Sequence, residues 1–366
     1  MPEQIPEKMQ AVVCHGPNDY RLEEVAVPQR KPGEALIRVE AVGICASDLK
    51  CYHGGGQVLG VTRTVPPGPR RWSSPPATNS SVASSNSTTP PPADGGASPS
   101  ATASPQSRSC PAGSAASASV GSTTCASPHD LYGFKRRTPG GAMAGYMTYP
   151  VEALVHKISG DIPPAHAAFV EPLSCSLHAV ERAQITFEDT VVVAGCGPIG
   201  LGMIAGARAK NPMHVIALDM RPRSWRSPRN AVPTSRSTSP PKTSRRSSRT
   251  SPAATAPTST WRAPDTRPPC RRDSTPCASW GRYVEYGVFG SDVTVDWSII
   301  SDDKELDVLG AHLGPYCWPA AIKMIESGVL PLDEICTHQL PLSEFQKGLD
   351  LVGSGKESVK VSLIPA

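Results

Sequence analysis

Large apolar side chains are missing from two long stretches of this 366-residue chain. Residues 57–127 contain no Ile, Phe or Tyr, one Leu (Leu59) and 11 Pro. Residues 221–280 contain no Leu, Ile, Phe, Tyr or Gly, and again 11 Pro. Ordering a residue costs roughly 1–2 kcal/mol of backbone entropy, and apolar burial is the main offset. Neither stretch has that surface to bury, so both are expected to be disordered or poorly packed. Also absent is an apolar run near the ~18 residues of a membrane span. The opening MPEQIPEKMQ is polar and lacks the apolar core of a signal peptide. No membrane partner is therefore expected, and a cytoplasmic location is. In that compartment the 11 cysteines read as thiols or metal ligands rather than as a disulfide framework.

Acidic charge is scarce only in those same stretches. Residues 221–280 hold 13 Lys+Arg against 2 Asp+Glu, and residues 57–127 hold 4 Arg against 1 Asp. With a total of +4, the rest of the chain stands at −10. A nucleic-acid-binding face would thus rest on the two tracts alone, which argues against that partner.

Outside the tracts the chain is well patterned. EALIRVEAVGIC sets Leu36, Arg38 and Glu40 against Ile37, Val39 and Ala41, a strand ending at Gly43. HAAFVEPLSCSLHAVERA reads as helical. DTVVVAGCGPIGLGMIAGARAK reads as a buried strand, a glycine turn and a helix, and HVIALDM as the next strand, ending at Asp219. GRYVEYGVFG is strand-like. WPAAIKMIESG puts Trp318, Ile322 and Ile325 on one helical face and stops at Gly328. SEFQKGLDLVGSG offers a capping box, Ser343 with Gln346, before a face of Phe345, Leu349 and Val352. SVKVSLIP closes the chain as a strand. Strands and helices in alternation predict an α/β fold with a doubly wound parallel sheet.

Gly195, Gly197 and Gly200 form G-x-G-x-x-G, with Pro198 and Ile199 between the last two glycines. The motif alone is weak. Here it follows a buried strand and opens a helix, and Asp219 ends the next strand 24 positions after Gly195. The glycines allow a tight turn and close approach of a pyrophosphate to the helix start. Asp219 would accept from a ribose hydroxyl and repel a 2′-phosphate, which favours NAD over NADP. Arg221 and Arg223 lean the other way, but both sit in the second tract.

Cys45, in GICASD, stands at a strand end. A lone cysteine is more often a small buried hydrophobe, and Glu171 in VEPLSCSLHAV is by itself a helix-start carboxylate. Taken with the glycine turn, GIC-x-SD, EPLSCSLHA and VAGCGPIGLG resemble the zinc-dependent medium-chain alcohol dehydrogenases, in the polyol or sorbitol-like branch. The segments PHDLYGFKRRTPG and GRYVEYGVFGSDVTVDWSIISDDKELDVLGAHLGPYCWPAAIKMI are similar to its bacterial tetritol-oxidising members. The resemblance covers residues 9–56, 128–220 and 281–366.

The resemblance implies a discontinuous, mainly β catalytic domain, residues 1–160 and 296–366, with an NAD-binding domain inserted at 161–295. It implies zinc at Cys45 with Glu171 at or near the metal, Ser47 passing on the alcohol proton, and Asp48 supporting that first shell. It further implies a small polyol substrate, NAD as hydride acceptor, and a homo-oligomer, dimer or tetramer. A histidine relay expected five residues after Cys45 is Lys50 here, and His53 is a weak substitute for it. The family's GHE zinc motif and four-cysteine zinc lobe are absent, and both should fall within residues 57–127.

A shifted reading frame explains the gap. In one alternative frame, Trp72 to Ala83 permits V-I-P-x-G-H-E-F-V-G-R, and SCPAGSAASASVGSTTCAS permits C-x2-C-x2-C-x7-C, a thiolate set suited to zinc. In the second tract SWRSPRNAVPT permits L-E-I-A-x-K-C-G-A-D, WRAPDT permits L-E-G-T-G-H, and RDSTPCASWG permits G-L-D-A-L-R-K-L-G. Five fragments each return the expected motif to its expected place. Two true low-complexity insertions, with SRRSSR as an RNA-binding or phosphorylated tract, are the rival reading. A zinc-less pseudoenzyme with residual NAD affinity is the rival function.

Overall fold

The computed structural model describes residues 4–54, 141–149, 155–219, 279–287, 294 and 297–366, together with four short strands by their backbone alone, 79–83, 101–103, 236–237 and 255–259. Two compact units emerge, Met1–Glu171 with Trp318–Ala366, and Pro172–Cys317. The family resemblance sets the breaks after residues 160 and 295. Among the described residues, no helix is long and apolar enough to cross a membrane.

The first unit opens with a hairpin, β1 Lys8–Gly16 against β2 Asp19–Ala26, turned at Asn18 with φ 58°. Asparagine tolerates that left-handed conformation better than most residues. The single strand expected over EALIRVEAVG is two strands, β3 Ala35–Arg38 and β4 Ala41–Gly43. The break is a change of partner. Val39 N donates to Gly145 O at 2.8 Å, beyond which β4 joins a different sheet. Helix α1, Ala46–Tyr52, follows. Next come β5 Asn79–Ala83, which pairs with β4, and β6 Ala101–Ala103. β7 Tyr146–Tyr149 pairs antiparallel with β3, and β8 Val155–Lys157 with β6. The helical stretch after them is also split, into α2 Pro164–Ala167 and α3 Val170–Ala183.

The second unit carries a six-stranded sheet. β9 Thr190–Ala194 leads through the glycine turn into α4 Pro198–Ala209, then β10 His214–Leu218. β11 Arg236–Ser237, β12 Thr255–Ser259, β13 Arg282–Glu285 and β14 Asp307–Gly310 complete it. The order is β11-β10-β9-β12-β13-β14, and every pair is parallel. This is the doubly wound arrangement, whose order reverses beside β9, where such sheets bind ligands at the strand ends. Val191, Val193 and Val215 pack with Met203 and Ala207 of α4 and Ala179 and Val180 of α3.

Most of residues 57–127 and 221–280, expected to be disordered or poorly packed, lies outside the described residues. Their described backbone forms the short strands β5, β6, β11 and β12. β12 lies between β9 and β13 in the sheet of the second unit. Ladder hydrogen bonds use N–H and C=O groups that nearly every residue carries, so pairing needs no apolar side chain. Pro257 alone withdraws a donor from β12.

The chain then returns to the first unit. α5 Trp318–Glu326 buries Trp318, Ile322 and Ile325 as expected, and Gly328 ends the segment at φ 69°. After α6 Leu332–Ile335 come β15 His338–Pro341, α7 Phe345–Ser354 and β16 Val361–Ile364. The capping box expected at Ser343 does not form. A 3-10 turn, Leu342–Glu344, takes Ser343 into its interior, and no side chain caps α7. The order β15-β16-β4-β5 makes a four-stranded sheet. Val42, Ile44, Phe345, Leu349, Val361 and Leu363 belong to its core.

Candidate functional site

In the second unit the glycine motif makes the turn its sequence promised. Gly195 has φ 93°, a conformation that a side chain would strain. Its N–H donates to Leu218 O at 2.7 Å, tying the turn to the end of β10. Gly197 is the N-cap of α4, and a Cβ built there meets nothing within 4 Å. That open space lies where a pyrophosphate would approach the helix start. Pro198 occupies the first helical turn, where its missing N–H costs nothing, with Ile199 beside it and Gly200 buried. The shape and the donors fit a dinucleotide.

Asp219 sits just beyond β10, and its Oδ2 accepts from Cys196 N at 2.8 Å. The carboxylate therefore braces the turn itself, a task that sequence reading missed. Gly202 and Gly206 were also missed. Their spacing of four on α4 puts both against α3, where an added Cβ would press on Ser176 and Leu177 respectively. Two small residues four apart on a helix are the sequence signal of such close packing.

The other predicted residues lie in the first unit. Cys45 is the N-cap of α1: its Sγ accepts from Ser47 N at 3.4 Å, and Asp48 Oδ2 accepts from Cys45 N at 2.7 Å. This reciprocal cap sets the orientation of the thiol and wholly buries Asp48. Ser47 is half-buried. Lys50 stands in the last turn of α1, and His53 is an exposed C-cap whose Nδ1 meets Asn18 Oδ1 at 2.7 Å. Glu171 is buried at 4% exposure.

Lys360 completes the group. It is 1% exposed, and its Nζ donates to Ile44 O at 3.2 Å. Burial pushes its pKa down, while Cys45, Glu171, Asp48 and Cys336 all act to hold its proton. A lysine among the alternating apolar residues of SVKVSLI was the signal available in the sequence.

Among the described residues no three His, Cys, Asp or Glu side chains are grouped so as to hold a metal ion. The charges of Cys45 and Glu171 both act on the buried Lys360. The positions expected to supply the remaining ligands lie outside the described residues.

Solved structures share this architecture. A thermostable alcohol dehydrogenase from Pyrobaculum aerophilum matches with a TM-score of 0.74 at 18% identity, covering 98% of this chain and 100% of that one. The 2R,3R-butanediol dehydrogenase of Bacillus subtilis gives 0.72 at 18% identity, with coverage of 98% and 100%. Both likenesses define the fold, that of alcohol dehydrogenases with a dinucleotide-binding sheet. Sequence goes further. The erythritol/L-threitol dehydrogenase of Mycolicibacterium smegmatis is 61% identical over 375 residues, spanning 100% of each chain. Human sorbitol dehydrogenase is 25% identical over 352 residues, 93% of this chain and 94% of that one. The chain belongs to the zinc-dependent medium-chain alcohol/polyol dehydrogenase family. No protein-family model matches it.

Proposed function

We propose that this chain derives from an NAD-dependent dehydrogenase that oxidises a secondary hydroxyl of a small polyol, and that as written it is impaired in that reaction. The observation that carries the proposal is full-length identity of 61% to a relative named for erythritol and L-threitol. The unit Pro172–Cys317 is the NAD-binding part and the remainder the catalytic part. NAD, when bound, would supply the hydride acceptor for the carbon that bears the hydroxyl. Gly195 and Gly197 let the backbone reach the pyrophosphate, the first amides of α4 face its charge, and Asp219 accepts from the ribose. In the first unit Ser47 receives the hydroxyl proton, and Asp48 holds the Cys45 end of α1 in place. Cys45 and Glu171 are the metal ligands that survive in the chain as written. A cytoplasmic homo-oligomer acting on a dissolved small molecule accords with these parts.

The impairment follows from the two tracts. Sixty-one per cent of 375 aligned positions is about 229 identities, and 235 residues of the chain lie outside residues 57–127 and 221–280. A shifted frame predicts that those identities lie in the patterned pieces. The surviving glycine turn, taken with the absence of a G-H-E run, also supports the second reading, a pseudoenzyme that keeps NAD affinity.

The test compares the chain as written with one whose two frames are restored, each offered tetritols, pentitols and hexitols with NAD. The restored chain should form NADH and lose that activity to a chelator, while the chain as written stays inactive and carries less than one zinc per subunit. Equal activity in both would refute the impairment. A restored chain unaffected by complete zinc removal would refute the metal assignment.

A further inference from the structure

We propose that Ser176 is a positioning residue for the dinucleotide turn, acting on it through the start of α4. The inference rests on the reading of Gly195–Gly200 as the pyrophosphate turn. Ser176 is fully buried, and its one hydroxyl proton has two carbonyls in reach. Pro172 O in its own helix is at 2.7 Å, and Ile199 O is at 2.8 Å. The first contact is the ordinary local back-bond of a serine inside a helix. The second is not local. It lands 23 residues away on the second residue of α4, between Pro198 and Gly200.

Gly202 makes that contact sterically allowed. A Cβ at Gly202 would collide with Ser176 Oγ, lie 2.8 Å from Ser176 Cβ and come within 3.3 Å of Leu173 Cδ1. One turn on, a Cβ at Gly206 would lie 2.7 Å from Leu177 Cδ2 and 3.2 Å from Val180 Cγ2. The two glycines thus open a groove along α4 that admits α3, and Ser176 is the polar group seated in it. Its bond to Ile199 sets the depth of the turn whose amides face the ligand. A helix start that shifts by a fraction of an ångström misaims those amides, so Ser176 acts on affinity without touching the ligand.

The experiment titrates the full chain with NADH by fluorescence, well below its melting temperature, and repeats this with ADP-ribose and adenosine as competitors. Ser176→Ala should weaken NADH about fivefold, the equivalent of one neutral hydrogen bond at about 1 kcal/mol. ADP-ribose should weaken by a similar factor, whereas adenosine, which lacks the pyrophosphate, should not change. Gly202→Ala should lose more, and Gly202→Ala with Ser176→Gly should regain part of that loss by vacating the space. Unchanged NADH affinity in Ser176→Ala, or equal weakening of ADP-ribose and adenosine, overturns the proposal while leaving the dinucleotide reading intact. A wild-type chain that binds no NADH overturns both.

Discussion

Replacing Asp219 by asparagine and by alanine separates the two tasks that this carboxylate carries. One is structural, since Oδ2 accepts from Cys196 N at 2.8 Å and so holds the glycine turn against the end of β10. The other is the proposed recognition of a ribose hydroxyl. Hydrogen bonds to a charged group contribute about 1.5–3 kcal/mol, and neutral ones about 0.5–1.5 kcal/mol. Asp219 is half-buried, which favours the lower end of each range. Asp219→Asn keeps an acceptor for the Cys196 amide and should stay within about 1 kcal/mol of wild type. Asp219→Ala removes the acceptor and should lose about 1.5–2 kcal/mol. Both variants remove the negative charge that repels a 2′-phosphate, so both should raise the NADPH-to-NADH affinity ratio by about tenfold or more, or about 1.4 kcal/mol. Urea denaturation read by circular dichroism measures the first effect, and fluorescence titration with the two cofactors the second. Equal stability of the two variants would refute the bracing role. An unchanged cofactor ratio would refute the ribose assignment.

Leu349→Ala, at a fully buried position in the core of the first unit, should cost about 2–5 kcal/mol, and a loss below 1 kcal/mol on denaturation would mean that this core is not packed as described. Burial pushes the Cys51 and Cys336 thiols up to about 12, and the Cys317 thiol up to about 11. Peptide mapping after iodoacetamide treatment at pH 8 should therefore find these three unmodified in the folded protein, and early labelling of any of them would count against their burial. Their folded pKa values exceed the ordinary 9.0, so the folded state holds protons that the unfolded chain releases. Their contribution to stability is complete below about pH 9 and declines between about pH 9 and 12, a fall to be followed by denaturant midpoints across that window. Lys360 works in the opposite sense, because its pKa is lowered and its penalty eases as pH rises. Lys360→Met should consequently steepen the alkaline decline, and an unaltered slope would speak against a strained buried cation.

What could be read from the sequence was chiefly what is local. The glycine turn, the strand before it and the helix after it occupy one continuous stretch, so their backbone requirements are written in adjacent residues. The buried face Trp318, Ile322 and Ile325 is local in the same way, through the helical period. Errors arose where an end or a partner is set elsewhere. EALIRVEAVG has an unbroken alternation, yet it splits because its halves pair with different strands. A capping box was expected at Ser343 and appears instead at Cys45 and Asp48, where no serine or threonine at the cap advertised it.

The sequence by itself determined the α/β class, the position of the glycine turn and the absence of a G-H-E run, because each is a matter of residue type at short spacing. Tertiary structure decided which distant residues act on those places. Lys360 reaches Ile44 across 316 residues of chain to stand beside Cys45, Asp48 and Glu171. Ser176 reaches Ile199 only because Gly202 leaves room for it. Chain separation carries no information about such contacts. They exist because burying apolar faces brings particular strands and helices together, and the polar groups caught between them must then find partners.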